Sequence, residues 1–584
     1  MCGIVGVLSN KNKAGLLAYE ALKKLDYRGY DSWGVGVICD GRTKVYKKVG
    51  RISTLPSSLR SGSIAIGHTR WATHGKVSIR NAHPQASQSK NILVVHNGII
   101  ENFQELKGFL KKRGFSFQSD TDTEVLPNLI EFYMSKRKDF KEAVRSALNK
   151  IKGCYAITAI TNQEKNIIAA KKSLPLVIGI GNDGEKFVAS DFVAIAGKSN
   201  RFIFMKDNEM AILNENTKFF NILNGTEIKK RPKKLFLDLK STEKGCYAHY
   251  MLKEIHEIPL AIINSCSQPK ELIDKAVSYI KKADTIFLIG CGTSYHAAML
   301  GSHFFRKITK NEAISVLAPE IRNYKSMISK NSVVIALSQS GETADVLDAV
   351  RFVRNQGAKV ISMTNVFGST LTRLSNLNFM MNAGPEICVA STKNYLAQLS
   401  LLYFLACAVV GKREKAKEEI KTLSKKAEET IKTSKKKAKM LAEKFKNTSS
   451  IFVIGRDENA VTALEGALKV KEVSYVHAEG LSAAELKHGT IALIEKGVPV
   501  LVVCKNGKDL TIHNACEVKS RGAIVIGISP EHQDIFDYTL KIPKGKLSVL
   551  LSVIPLQLFA YYLAVARKKD PDKPRNLAKS VTVR

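Results

Sequence analysis

The chain has 584 residues, of which 90 are Lys or Arg and 53 are Asp or Glu, for a net charge of +37 at pH 7. An apolar fraction of 45% with only 15 prolines excludes a disordered chain, and the length calls for about three or four domains. Its ten cysteines are scattered without paired spacing, which excludes a disulfide framework and a zinc site and fits a reducing compartment, the cytoplasm by default.

The chain opens Met1-Cys2-Gly3-Ile4-Val5-Gly6, without the basic-then-apolar pattern of a signal peptide. If Met1 is removed, Cys2 carries both a thiol nucleophile and an α-amine with a pKa of about 8, a usable base. Taken alone, the same run reads as an ordinary first strand with a buried cysteine. Strand patterns follow at Gly34–Cys39, Ser63–Gly67, Asn91–His96, Tyr155–Thr161 and Leu176–Ile180. Helical periodicity marks Ala14–Leu25, Asn102–Lys112 and Thr123–Met134. Polar clusters lie at strand ends: Tyr27–Ser32, His68–Gly75, Asn81–Pro84, His96–Gly98 and Ser119–Glu124.

In that order, Cys2-Gly3-Ile4, Tyr27–Ser32, His68–Gly75, His96–Gly98 and Thr121–Glu124 resemble the class II glutamine amidotransferases among the N-terminal-nucleophile hydrolases. The resemblance implies an αββα sandwich over residues 2–221 and a set of roles for matching positions. Cys2 is the nucleophile, Asn97 and the Gly98 N–H form the oxyanion hole, and Arg70, Trp71, Thr73, His74, Gly98 and Asp122 surround glutamine. These residue types fit amide hydrolysis: an Arg fork holds a carboxylate, an Asp holds an ammonium, and a glycine lets the backbone approach closely. Read without the family, Arg70 and Asp122 also fit a structural ion pair, and His68, His74 and His83 fit scaffold roles. Trp33 departs from the family's small residue and is expected to pack beside the substrate loop.

Residues 222–275 read as a linker and connecting helix, with a helical start at His249–Ile255. The chain then repeats. Thr285–Gly290 parallels Ser450–Gly455, Val333–Gly341 parallels Pro499–Gly507, and Gln356–Ile361 parallels Arg521–Ile526, all offset by 165 or 166. Each copy reads as strand, Gly/Ser loop, helix and strand, the pattern of a doubly wound parallel sheet, at 276–416 and 441–574. In the first copy Gly290–Ser294 and Ser338–Thr343 are hydroxyl-rich and stand where helices begin, a phosphate cradle without the lysine of a nucleotide loop. The second copy has Gly455-Arg456-Asp457-Glu458 and Cys504-Lys505-Asn506-Gly507 instead, and reads as the fold without that cradle.

Between the copies, Lys412–Lys446 holds 14 Lys/Arg against 6 Glu and reads as a solvated helix, with a charged connector at 417–440. Tyr395–Val410 and Leu547–Ala566 are apolar, but Gln398, Pro555 and Gln557 make them buried helices and not membrane spans. The remaining lysines are dispersed, with no RNP-like, zinc-finger or recognition-helix pattern. The charge therefore fits anionic substrates better than nucleic acid.

The two copies resemble sugar isomerase (SIS) domains, supported by Val389–Lys393, Glu465–Tyr475, Glu485–Gly489 and Pro574–Val583. Thr490 and Gly480–Ala484 depart locally from the family. Joined to the amidotransferase-like part, the resemblance spans the chain and implies α/β and α+β multidomain architecture. It implies transfer of ammonia from L-glutamine to fructose 6-phosphate and isomerisation to glucosamine 6-phosphate, by a cytoplasmic homodimer needing no cofactor or metal. Thr293, Ser294, Ser338, Gln339, Ser340, Thr343, Val389 and Ala390 would bind the sugar phosphate. His488 would open the ring, Glu472 would move the proton beside Lys469, and Lys579, on a tail at 575–584 that closes the site, would form a Schiff base. Without the family, Lys469 and Glu472 read as a surface pair and Lys579 as one more tail lysine. A phosphoribosyltransferase-linked amidotransferase would need an acidic pair in an apolar loop, which the sequence lacks. A non-catalytic sugar-phosphate binder leaves Cys2, Asn97 and Lys579 unexplained.

Overall fold

A computed structural model describes residues 2–71, 75–234, 243–507 and 509–582, apart from the side chain of Tyr27. The chain divides into two compact units, residues 1–240 with 578–584, and residues 241–577.

The first unit is built on strand Gly3–Leu8, buried along its whole length and hydrogen-bonded on both sides. Its alternation sends Ile4 and Leu8 to one face and Val5 and Val7 to the other. It lies inside an eight-stranded antiparallel sheet, between Ile64–Arg70 and Lys186–Ala189. A seven-stranded sheet, with Ile92–Ile100 next to Gly153–Thr161, covers the Ile4 face. Helix Ala14–Lys23 packs outside the first sheet, and Phe103–Lys111, Val125–Ser135 and Phe140–Leu148 pack outside the second. The layers are helix, sheet, sheet, helix, as the resemblance implied. Trp33 is not beside a substrate loop. It points to the Ala14–Lys23 layer, 1% exposed, with its ring against Tyr19 and Tyr46, so its bulk fills an outer core.

The second unit holds two five-stranded parallel sheets of identical topology. In the first, the order is Ala313–Leu317, Ile286–Gly290, Val333–Leu337, Lys359–Thr364, Leu377–Met380. In the second, it is His477–Ser482, Ser450–Gly455, Pro499–Val503, Ile524–Ser529, Tyr538–Lys541. The duplication read from three sequence landmarks is thus a duplication of strand order. One continuous apolar core joins the helices between the two sheets, and each sheet has a separate core on its far face.

The charged segment between the repeats is one helix, Arg413–Lys444, and it is not solvated all round. Ala416, Ile420, Leu423, Ala427, Ile431, Ala438 and Leu441 form a stripe that enters the shared core, while the lysines occupy the other face. Helices Lys393–Val409 and Val553–Ala566 are buried, as their sequence predicted. The apolar stretch 548–566 is long enough to cross a bilayer but 89% of it is covered by the fold.

Candidate active site

In the first unit the site grows from the start of strand Gly3–Leu8. Gly3 donates its N–H to Thr69 Oγ1 at 2.9 Å and Ile4 to Ser190 Oγ at 3.0 Å, which fixes Cys2 at the sheet's edge. The Cys2 thiol receives the Trp71 N–H at 3.1 Å. Burial raises the thiol's pKa, an effect that the chain's terminal amine, the Trp71 N–H and Arg70 offset only in part.

The facing sheet supplies the amide. Asn97 Nδ2 donates to the Cys2 carbonyl at 2.8 Å. His68 Nε2 lies 3.0 Å from both Asn97 Oδ1 and the His96 carbonyl; both are acceptors, so this nitrogen carries the proton. Burial lowers the His68 pKa to about 3, so the ring is neutral and Nδ1 is left as an acceptor, facing His83 Nδ1 at 3.2 Å. His68 and His83 therefore fill the scaffold roles their sequence allowed. Gly98 has φ +121°, and an added Cβ would lie 2.0 Å from the Cys154 carbonyl, so only glycine fits beside Asn97.

Arg70 ends strand Ile64–Arg70, 3% exposed, with its guanidinium donating to the carbonyls of Gly75 and Lys76 at 3.3 and 3.4 Å. Burial lowers the Arg70 pKa, and the carboxylates of Asp31 and Asp122 oppose that shift. Asp122 is pinned by the Ile100 N–H at 2.8 Å, and Thr123 Oγ1 meets His96 Nδ1 at 2.8 Å, so this turn is tied to the Asn97 strand. Trp71 lies edge-on to Tyr30 at 5.6 Å. Thr73 and His74 lie outside the described residues.

In the second unit, the loops after Ile286–Gly290 and Val333–Leu337 stand side by side where the strand order reverses, the crevice in which parallel sheets bind ligands. Gly292 has φ +54° and Gly341 φ +64°, conformations that favour glycine just before helices Thr293–Thr309 and Ala344–Asn355. Ser338 Oγ takes the Gly341 N–H at 3.0 Å and meets Thr343 Oγ1 at 3.1 Å; Ser340 Oγ takes the Glu342 N–H at 3.2 Å. The Gln339 carbonyl receives the Asn365 N–H at 2.9 Å. Ser294 Oγ is held by Gln398 at 2.9 Å, and the Val389 N–H is taken by the Asp572 carbonyl at 3.0 Å, next to fully buried Ala390.

Lys469 is not on the surface. It is fully buried on helix Glu458–Ser474, 2.6 Å from Glu472, 3.4 Å from Glu465 and 2.9 Å from Thr293 Oγ1 of the other repeat. Burial opposes its charge, but the two carboxylates outweigh burial and raise its pKa. Glu465 also accepts from Thr293 at 3.1 Å and meets His296 Nδ1 at 2.7 Å. Glu465 and His296 were missed as site residues. Their only signal was the i, i+4, i+7 spacing of Glu465, Lys469 and Glu472, which puts all three on one helical face. Arg575 donates its N–H to Tyr475 Oη at 2.7 Å and lays its guanidinium 4.5 Å over that ring, anchoring the chain four residues before Lys579. His488 stands exposed on the turn Glu485–His488, outside the Lys469 network.

A half-buried cysteine facing an aimed asparagine amide, followed by paired parallel sheets with a hydroxyl-lined switch point, defines a glutamine amidotransferase joined to two sugar-isomerase repeats. A model described as a glutamine amidotransferase domain matches residues 68–197, and one described as a SIS domain matches 279–408 and 444–567. The chain belongs to the glutamine–fructose-6-phosphate aminotransferase (isomerizing) family. A relative of that name from Thermococcus kodakarensis is 44% identical over 605 residues, and one from Clostridium acetobutylicum is 41% identical over 612, each alignment covering 100% of both chains. The solved C-terminal domain of a glucosamine-fructose-6-phosphate aminotransferase from Francisella tularensis is 31% identical with TM-score 0.52, covering 56% of this chain and 99% of that one.

Proposed function

We propose that this chain takes ammonia from L-glutamine, transfers it to fructose 6-phosphate and isomerises the product, releasing glutamate and glucosamine 6-phosphate. The observation that carries this reading is the joint presence, in one chain, of the Cys2–Asn97 pair and the buried Thr293–Glu465–Lys469–Glu472 network beside a hydroxyl-rich switch point.

Cys2 attacks the glutamine amide as in N-terminal-nucleophile hydrolases, with the α-amine freed by loss of Met1 as base. Asn97 Nδ2 and the Gly98 N–H receive the developing oxyanion. Arg70 holds the substrate's carboxylate and Asp122 its ammonium, with Trp71, Thr73 and His74 around it; Trp71 gates the path of the ammonia. In the second unit Ser338, Gln339, Ser340 and Thr343, with Thr293, Ser294, Val389 and Ala390, bind the sugar phosphate. His488 opens the ring, Lys579 captures the ketone as a Schiff base, and Glu472 moves the proton between C1 and C2. Lys469, 2.6 Å away, holds the Glu472 carboxylate in place. The tail from 575 closes the sugar site, and the enzyme works as a cytoplasmic homodimer.

The test is direct. The purified protein, given glutamine and fructose 6-phosphate, forms hexosamine phosphate and glutamate in equal amounts. Glutamate without amino sugar would overturn the transfer reading.

A further inference from the structure

The second repeat carries a cavity of about 550 Å³ at the carboxyl edge of its own parallel sheet. Its walls come from the segments that follow strands Ser450–Gly455, Pro499–Val503, Ile524–Ser529 and Tyr538–Lys541, closed by the last turns of helix Thr293–Thr309. That is the position at which the first repeat has its hydroxyl-lined crevice.

The residues that differ decide what the cavity takes. The 165-residue offset sets Gly292 against Asp457 and Thr293 against Glu458, and the 166-residue offset of the next loop sets Gln339 against Lys505. Asp457 even keeps the glycine-like backbone of its counterpart, φ +51° and ψ −123° against φ +54° and ψ −130°. At the helix start, where the first repeat has the hydroxyl of Thr293, the second has the carboxylate of Glu458. Lys307 pairs with it, and Lys505 lies 2.6 Å away. Around this internal anion the cavity presents Lys307, Lys505, Lys544 and Lys546 against Glu458 and Glu531 in its lining and Glu419 behind it, which pairs with Lys546 at 3.0 Å. Lys307, Lys505 and Lys544 remain 39–69% exposed while paired, so their ammonium groups keep donors for a further anion, and Lys546, 61% exposed, donates to Tyr403 Oη at 2.9 Å and to Glu419. A concave wall of Phe304, Tyr403, Leu547 and Val549 faces them, a low-dielectric surface that strengthens the positive field.

We propose that this cavity is a second ligand site, for a small metabolite bearing two or more phosphate charges and a body that rests on the Phe304–Tyr403 wall. Lysine rather than hydroxyl recognition selects charge over stereochemistry, so the site reads the phosphates and not a particular sugar. It is separate from the Thr293–Ser340 crevice, because its lysines belong to the other sheet's loops and to the far end of the Thr293 helix.

The experiment is calorimetric titration of the full-length protein with inorganic pyrophosphate at low salt. The native protein and a Ser340→Ala/Thr343→Ala variant of the first repeat show the same binding event. It weakens at least about tenfold, some 1.4 kcal/mol, in Lys505→Ala/Lys546→Ala. Lys544→Ala gives the same direction of change, and its partner Glu531 is a surface residue, so that variant keeps the fold. Absence of binding, binding that survives both lysine variants, or binding lost only in the first-repeat variant would each overturn the proposal.

Discussion

The Asn97 side-chain amide donates to the Cys2 carbonyl at 2.8 Å while His68 holds its oxygen at 3.0 Å. The Asn97 amide can turn either its oxygen or its nitrogen toward the cysteine, and this clamp turns the nitrogen there. Asn97→Ala removes one oxyanion donor and is expected to lower kcat for glutamine hydrolysis by about 10²–10³-fold. Cys2→Ala abolishes hydrolysis and glutamine-dependent synthesis and leaves sugar-phosphate isomerisation in place. Glutamate release that persists in Cys2→Ala would remove Cys2 from its role.

His68 also sets a pH dependence. Its folded pKa is lowered to about 3 by burial, against an ordinary value near 6.5, so the unfolded chain binds the extra proton between those values. The stability it supports is complete above pH 6.5 and is lost as pH falls through that window. His68→Gln should flatten the fall in urea midpoint between pH 6 and pH 4, by up to about 1.4 kcal/mol for each pH unit. An unchanged slope would place the acid sensitivity elsewhere.

Lys469 is a buried cation between two carboxylates; removing it takes the ion pair from Glu472 and leaves buried Glu465 to Thr293 and His296. Lys469→Met is expected to destabilise the second unit by about 3–5 kcal/mol and to stop amino-sugar formation. Glutamine hydrolysis in the first unit continues. A variant with native melting behaviour would show that the network contributes specificity without stability.

Much of this was legible in the sequence because strong periodicity and turn chemistry agreed. The strands around Cys2, Asn97 and Arg70, and both parallel sheets, fall where apolar alternation and Gly/Ser loops put them. The failures share one cause, burial created by distant chain. Glu465 looks like any helical glutamate until Thr293 and His296, some 170 residues earlier, close over it. The Arg413–Lys444 helix hid its core stripe because Ala416, Ala427 and Ala438 carry little apolar signal beside so many lysines. Trp33 could not be placed because strand alternation tells its face only once the sheet's two neighbouring layers are known.

The two repeats also predict a stabilising substitution. Asp457 holds φ +51° and ψ −123°, a region open mainly to glycine, and its side chain makes no capping hydrogen bond to helix Glu458–Ser474. Its counterpart Gly292 adopts the same backbone without strain. Strain of about 1–3 kcal/mol at Asp457 outweighs the 0.5–1 kcal/mol or so that glycine costs through the unfolded chain. Asp457→Gly is therefore expected to raise stability by about 1 kcal/mol in thermal or denaturant unfolding. A lower melting temperature would mean that the aspartate side chain stabilises the loop by more than its backbone strain costs.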